Sequence, residues 1–333
     1  MKNKINIVCI GGGTGTFVVL KGLKNYQYHL SAIVTMSDSG GSNKRIRDEF
    51  GLLPTSDIRQ CFIALSDEQG GAGLLRKLFM YRFERGEGIS GMTFGNLFMA
   101  ALSDILGSQE EAIRKTGKVL RISGTVIPVS YTKTNLFAEY ENGHVATEEH
   151  VIDEPEHDGT MKITKLFLKP SPEPNPQALD ALKKADLIVL GPGDLFTSLM
   201  PNIVVPGIAD AIRNSPAKKI YILNLMTKYG QTYNYSAQDH IKTIEEYIGK
   251  NLDYVLVNKS VYPVRVLKKY EAMKEYPVLD DLSEKAYYTV VRKPIVSCQL
   301  VEKATSDALV RSLIRHDSDK LAKELVAILE TNI

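Results

Sequence analysis

Residues 5–16, INIVCIGGGTGT, run apolar and mostly β-branched until a glycine cluster breaks them, and a helix-compatible stretch follows at 17–25. A run almost free of polar positions has no continuous solvent face, so it belongs inside a sheet covered on both sides, and glycine lets the chain turn sharply at its end. The pattern recurs. Residues 30–35, 187–190, 219–223 and 253–257 are further short apolar runs, and 57–66, 203–213 and 237–248 suit helices between them. Buried strands alternating with helices predict an α/β protein with a Rossmann-like doubly wound, mostly parallel sheet and right-handed crossovers.

Between 122 and 170 the period changes. GTVIPVSY, NLFAEY, HVATEE and KITKLFL alternate apolar and polar side chains, and Glu141-Asn142-Gly143 offers a hairpin turn, so a small antiparallel β insertion is expected there. KPSPEPNP at 169–176 holds four prolines in eight residues, too poor in donors for a helix or central strand, and reads as the connection back to the sheet. The 333 residues are thus expected to form one Rossmann-like domain carrying this appendage.

Charge and cysteine usage narrow the function classes. Basic and acidic residues number 41 and 39, a formal charge of +2, and the basic ones are dispersed, so no nucleic-acid footprint is visible. Cys9, Cys61 and Cys298 lack metal or redox spacing and read as reduced, buried thiols of a cytoplasmic protein. The N-terminal apolar run is about six residues, shorter than the roughly 7–15 of a signal-peptide core, and no run approaches the ~20 of a membrane span.

The loops after the apolar runs carry the chemistry. GGGTGT places Gly12, Gly13, Thr14 and Gly15 at a helix start, where amides and the helix dipole favour a phosphate. It is neither a faithful G-x-G-x-x-G, since Thr16 stands at the last glycine, nor a Walker A loop. In VTMSDSGGS, Asp38 could accept from a sugar hydroxyl or hold a Mg²⁺ bridging phosphates, with Ser39, Gly40 and Gly41 as donors. Ser56 or Asp57 is expected to cap the next helix, whose first-turn Arg59 suggests an anion nearby. Thr93 caps another helix start, with Gly95 and Asn96 beside it. LIVLGPGDLFTS repeats the first loop's logic through Gly193, Asp194, Thr197 and Ser198, while Asn224 and Lys259 end the next two strands. No nucleophile elbow or His-Glu-x-x-His occurs, and His150 and His157, among the acids at 148–158, read as a solvated charged hairpin.

Taken in order, GGGTGT, VTMSDSGGS, P-T-S-D-I-R at 54–59, GMTFGN, GPGDLFTSLMPN and NLMTKYGQT resemble the 2-phospho-L-lactate transferase-like (CofD-like) family, in its bacterial gluconeogenesis-factor branch of the YvcK type. Asn43-Lys44 and Thr55-Ser56 stand where Ser-Gly and Pro-Gly are usual in that branch. The resemblance implies a nucleotide-sugar-binding regulator, of UDP-N-acetylglucosamine type, needed for cell shape and envelope synthesis on gluconeogenic carbon. It implies Gly12–Gly15 as phosphate cradle, the Asp38, Asn96 and 194–198 regions at nucleoside and sugar, Lys259 against phosphate charge, and Tyr270 and Arg315 as a clamp. Envelope-synthesis partners and a homo-oligomer are compatible with it. The transferase branch offers the alternative, Mg²⁺-dependent group transfer from a nucleoside-diphosphate-linked substrate with Asp38 catalytic. An NAD(P)-binding oxidoreductase ranks third because the glycine fingerprint is imperfect.

Overall fold

The computed structural model describes residues 4–68, 70–297 and 312–331, so Cys298 lies outside the described residues. Ten strands are described: β1 (Asn6–Gly11), β2 (His29–Val34), β3 (Thr125–Pro128), β4 (Asn135–Tyr140), β5 (Val145–Thr147), β6 (Ile163–Lys169), β7 (Leu187–Leu190), β8 (Lys218–Ile222), β9 (Tyr254–Asn258) and β10 (Thr289–Lys293). Seven of them form one sheet in the order β10-β9-β8-β7-β1-β2-β3, parallel throughout. With the inserted β4–β6 set aside, this is the doubly wound 3-2-1-4-5-6 order plus one strand. The chain starts at the centre, winds out through β2 and β3, then returns to β7 beside β1 and winds out the other way. Between β1 and β7 the winding reverses, and there the loops diverge to leave a crevice.

The five apolar runs are β1, β2, β7, β8 and β9. Their side chains feed two cores, one on each sheet face: Val8 and Ile10 join Leu190, Tyr221 and Val255, whereas Ile7 and Cys9 join Ile58, Phe62, Leu321 and Leu325. Full burial of each such side chain stabilises the fold by about 1.5–3 kcal/mol. Burial pushes the Cys9 thiol up to about 12 and the Cys61 thiol well above its ordinary value, the latter with help from Asp57.

Two boundaries differ from expectation. Within 122–170 the antiparallel sheet is β5-β4-β6 only; β3 pairs parallel with β2, Ile127 opposite Ile33, and belongs to the main sheet. As an edge strand with Thr125 exposed and Pro128 lacking an N–H, it mimics a half-buried hairpin strand. The edge strand β10, TVVRK, is polar at both ends and was not expected at all.

Helix α1 (Gly13–Leu23) joins β1 to β2, and α2 (Gly41–Phe50) and α3 (Ser56–Leu65) are the first two of the helices that follow β2. Ile58, Cys61, Phe62 and Leu65 form the expected buried stripe of α3. Its N-cap is Thr55, however, without a side-chain cap bond, and Asp57 sits inside the first turn, where the dipole favours an acid. Among the described residues no single helix is long and apolar enough to cross a membrane.

Candidate functional site

The loops leaving β1, β2, β7 and β8 at their carboxyl ends surround a cavity of about 360 Å³ at the switch point. One wall is largely backbone. Gly13, Thr14 and Gly15 open α1, Gly40 and Gly41 open α2, and Pro192 and Gly193 follow β7. Gly12 caps α1 without a side-chain acceptor, and the first turn carries no acid. The glycines are demanded by interlocking loops: a Cβ on Gly15 would lie 1.7 Å from Pro192 O, on Gly13 2.5 Å from Asp57 Oδ1, and on Gly12 2.7 Å from Ser198 Oγ. Gly191 and Gly193 need glycine for another reason, with φ of 75° and 150°.

Beyond that turn, Asp194 opens a π-helical turn, Leu195–Leu199, and its carbonyl accepts from the amides of Ser198 and Leu199. Asn202 locks the turn to the end of β1 by donating to Ser198 O (2.9 Å) and Gly11 O (3.2 Å). Asn224 clamps the other side: its Nδ2 donates to Gly193 O (2.8 Å), and its Oδ1 accepts from Tyr221 Oη (3.0 Å). It lines the cavity with its amide turned to protein.

The second glycine loop is anchored by carboxylates. Gly40 N–H donates to Asp38 Oδ1 (2.8 Å), Asn43 Nδ2 to Asp38 Oδ2 (2.5 Å), and Ser39 N–H to Glu149 Oε2 (3.3 Å). From Asn43 a largely buried chain continues: Ser56 Oγ donates to Asn43 Oδ1, Asn96 Nδ2 to Ser56 Oγ, and Arg59 Nε to Asn96 Oδ1. Asn43 and, through it, Ser56 are therefore the links that orient Asp38. Thr93 caps its helix as expected, accepting from Asn96 N. Arg59, Thr93, Gly95 and Asn96 support the loop from behind and do not line the cavity, and a Cβ on Gly95 would strike Arg59 Cδ at 2.7 Å.

The opposite wall is made of charged side chains that sequence reasoning missed. The short helix Glu149–Asp153 of the insertion brings Glu149, His150 and Asp153 to the cavity, Lys228 follows β8, and Glu275 follows the helix Val264–Ala272. The solvated-hairpin expectation is thereby corrected. Glu149 is half-buried, and His157 packs its ring against Tyr140 and His144 at 4.5 and 4.7 Å. Burial, then the charges of Asp38 and Asp153, holds Glu149 well above the usual carboxylate range. Burial likewise pushes Asp194 up to about 6 and Glu275 up to about 7, each against the pull of Lys228. Composition hid these groups, because acids gathered round a cavity read like acids in water; four acids and a histidine returning to the sheet edge were the available signal.

Tyr270 and Arg315 both line the cavity, and Lys259 does not. Lys259 is exposed, its amide donating to Lys293 O at the β9–β10 edge. Tyr270 is 3% exposed, and its hydroxyl accepts from the amides of Leu313 (2.8 Å) and Ile314 (3.3 Å), which leaves the ring as its contribution to the space. As a Mg²⁺ position, Asp38 has both oxygens engaged by Gly40 and Asn43, and among the described residues no three His, Cys, Asp or Glu side chains converge on a cation. The protein alone does not assemble a metal site there.

Fold and site together define a Rossmann-like α/β protein with a charged cavity at its switch point. The family model for 2-phospho-L-lactate transferase CofD matches residues 7–296, and the chain belongs to that family. It is 42% identical over 323 residues to a putative gluconeogenesis factor of Nostoc sp. PCC 7120, covering 96% of this chain and 68% of that one. It is 39% identical over 334 residues to the gluconeogenesis factor of Bacillus subtilis, covering 99% and 100%. A crystal structure of a UPF0052-family protein from Bacillus halodurans superposes with a TM-score of 0.87 at 36% identity, covering 98% of this chain and all of that one.

Proposed function

We propose that this chain is a cytoplasmic binding protein for a nucleotide sugar of the UDP-N-acetylglucosamine type, whose occupancy regulates cell shape and envelope synthesis during gluconeogenic growth. One observation carries the reading: a switch-point cavity that combines the start of α1 with Lys228, Arg315, the Tyr270 ring and many carboxylates. Helix-start amides and cations suit a diphosphate. An aromatic ring suits a base. Ionised carboxylates only accept, so they suit the hydroxyls of ribose and hexose better than a bare phosphate. Membership of a family named for a transferase of phospholactate agrees with a phosphate-linked ligand.

Calorimetric titration with UDP-N-acetylglucosamine, GTP and NAD, each with and without Mg²⁺ and followed by product analysis, tests the reading. Heat with the uridine sugar and its recovery intact are expected. Nucleoside monophosphate released only with Mg²⁺ would replace the regulator by a transferase, and binding of NAD alone would sink both.

A further inference from the structure

The cavity holds a lysine that no motif pointed to. Lys228 follows β8, its Cα pinned by its own N–H donating to Thr232 Oγ1 (2.9 Å), and only 16% of its side chain is exposed. Its Nζ stands 3.7 Å from Asp153 and 3.8 Å from Glu275, close enough for ion pairing and too far for a hydrogen bond to either. An ammonium carries three donors, so this one meets two carboxylates without closing a bond. Removing three charges from water is expensive, and only tight geometry repays it. Loose geometry at that cost fits a cation held ready to change partners better than a structural salt bridge. Burial alone would lower the Lys228 pKa, but Asp153, Asp194 and Glu275 outweigh it, so the group stays charged.

We propose that Lys228, and not Lys259, takes the anionic group of the ligand, exchanging its loose pairing with Asp153 and Glu275 for direct hydrogen bonds to phosphate oxygens. The nature of the remaining ligand rests on the nucleotide-sugar reading, whereas the assignment of Lys228 needs only its charge. Asp153 keeps a partner after the exchange, because Gln231 Nε2 already donates to it at 2.9 Å. Since Asp153 belongs to the insertion's short helix and Glu275 to the segment after Val264–Ala272, occupancy would be felt in both.

Wild type, Lys228→Met, Lys228→Arg and Lys259→Met are titrated with UDP-N-acetylglucosamine and with inorganic pyrophosphate, after circular dichroism has shown each to be folded. Lys228→Met should weaken both ligands about tenfold or more, the loss of a charged hydrogen bond, and Lys228→Arg should stay within about threefold of wild type. Should Lys228→Met not fold, Lys228→Gln combined with Glu275→Gln takes its place with the same expectation. Wild-type affinity in the Met variant overturns the assignment, as do equal losses in Met and Arg or a larger loss in Lys259→Met. If wild type binds pyrophosphate through Lys228 but ignores the uridine sugar, the nucleotide-sugar reading falls and the assignment stands. If wild type binds neither, the assignment falls as well.

Discussion

The two walls of the cavity are built by opposite means. The wall from β1, β2 and β7 is glycine backbone, held by approaches so close that a Cβ on Gly15 would fall 1.7 Å from Pro192 O. The facing wall is side-chain charge, Glu149, Asp153, Lys228 and Glu275, collected from three separate segments, with Lys228 held between Asp153 and Glu275 by longer-range attraction. A packed backbone wall has one geometry and tolerates little change. A wall of loosely paired charges responds to pH, salt and ligand. Rigidity on one side and adjustable charge on the other suit a site that must register whether it is filled.

The contrast can be broken most forcefully at Gly15. Gly15→Ala drives a methyl into the backbone of the Gly191–Gly193 turn, and urea unfolding should show a loss of about 3 kcal/mol or more, or no folded protein. Next comes Tyr270→Phe. It strips the acceptor from the Leu313 and Ile314 amides, so the melting temperature should fall in keeping with about 1–3 kcal/mol, whereas an unchanged melt would mean water replaces the hydroxyl.

The charged wall is tested by pH. Glu275 at about 7 and Asp194 at about 6 lie above their ordinary 4.5 and 3.8, so the native state binds these protons more tightly than the unfolded chain. Their contribution to stability is present below about pH 4 and is lost as pH rises through 6 and 7. Unfolding free energy should carry a downward slope over that window, on the order of 1–3 kcal/mol in total, partly removed by Glu275→Gln. An anionic ligand raises the same two pKa values further, so in Mg²⁺-free buffer its affinity should weaken from pH 6 to pH 8, and a flat profile would separate ligand from these acids. The smallest effect is on the thiols: in a Cys298→Ser background, Cys9 and Cys61 should not react with a thiol reagent until urea unfolds the protein, given their burial.

The division between the walls also explains what the sequence disclosed. Strands β1, β2, β7, β8 and β9 were legible because burial on both faces forces continuous apolar runs. The backbone wall was legible because close approach forces glycine, although the pressing atoms are Pro192 O, Asp57 Oδ1 and Ser198 Oγ, all of the protein itself. Glu149, Asp153 and Lys228 were not legible, since a charge facing a cavity has the same letter as a charge facing water. Arg59 and Asn96 looked like ligand contacts because buried polar residues at helix starts share that composition; only the Asp38–Asn43–Ser56–Asn96–Arg59 chain reveals a supporting role. Edge strand β3 was read into the antiparallel insertion and β10 escaped notice, because partial exposure blurs the pattern of both.

The most direct measurement is a crystal structure of the chain grown with millimolar UDP-N-acetylglucosamine. The diphosphate should lie within hydrogen-bond distance of the Gly13–Gly15 amides and of Lys228, with the base against Tyr270. Nucleotide bound away from the switch point, or a cavity that stays empty at that concentration, would contradict the assignment of the site.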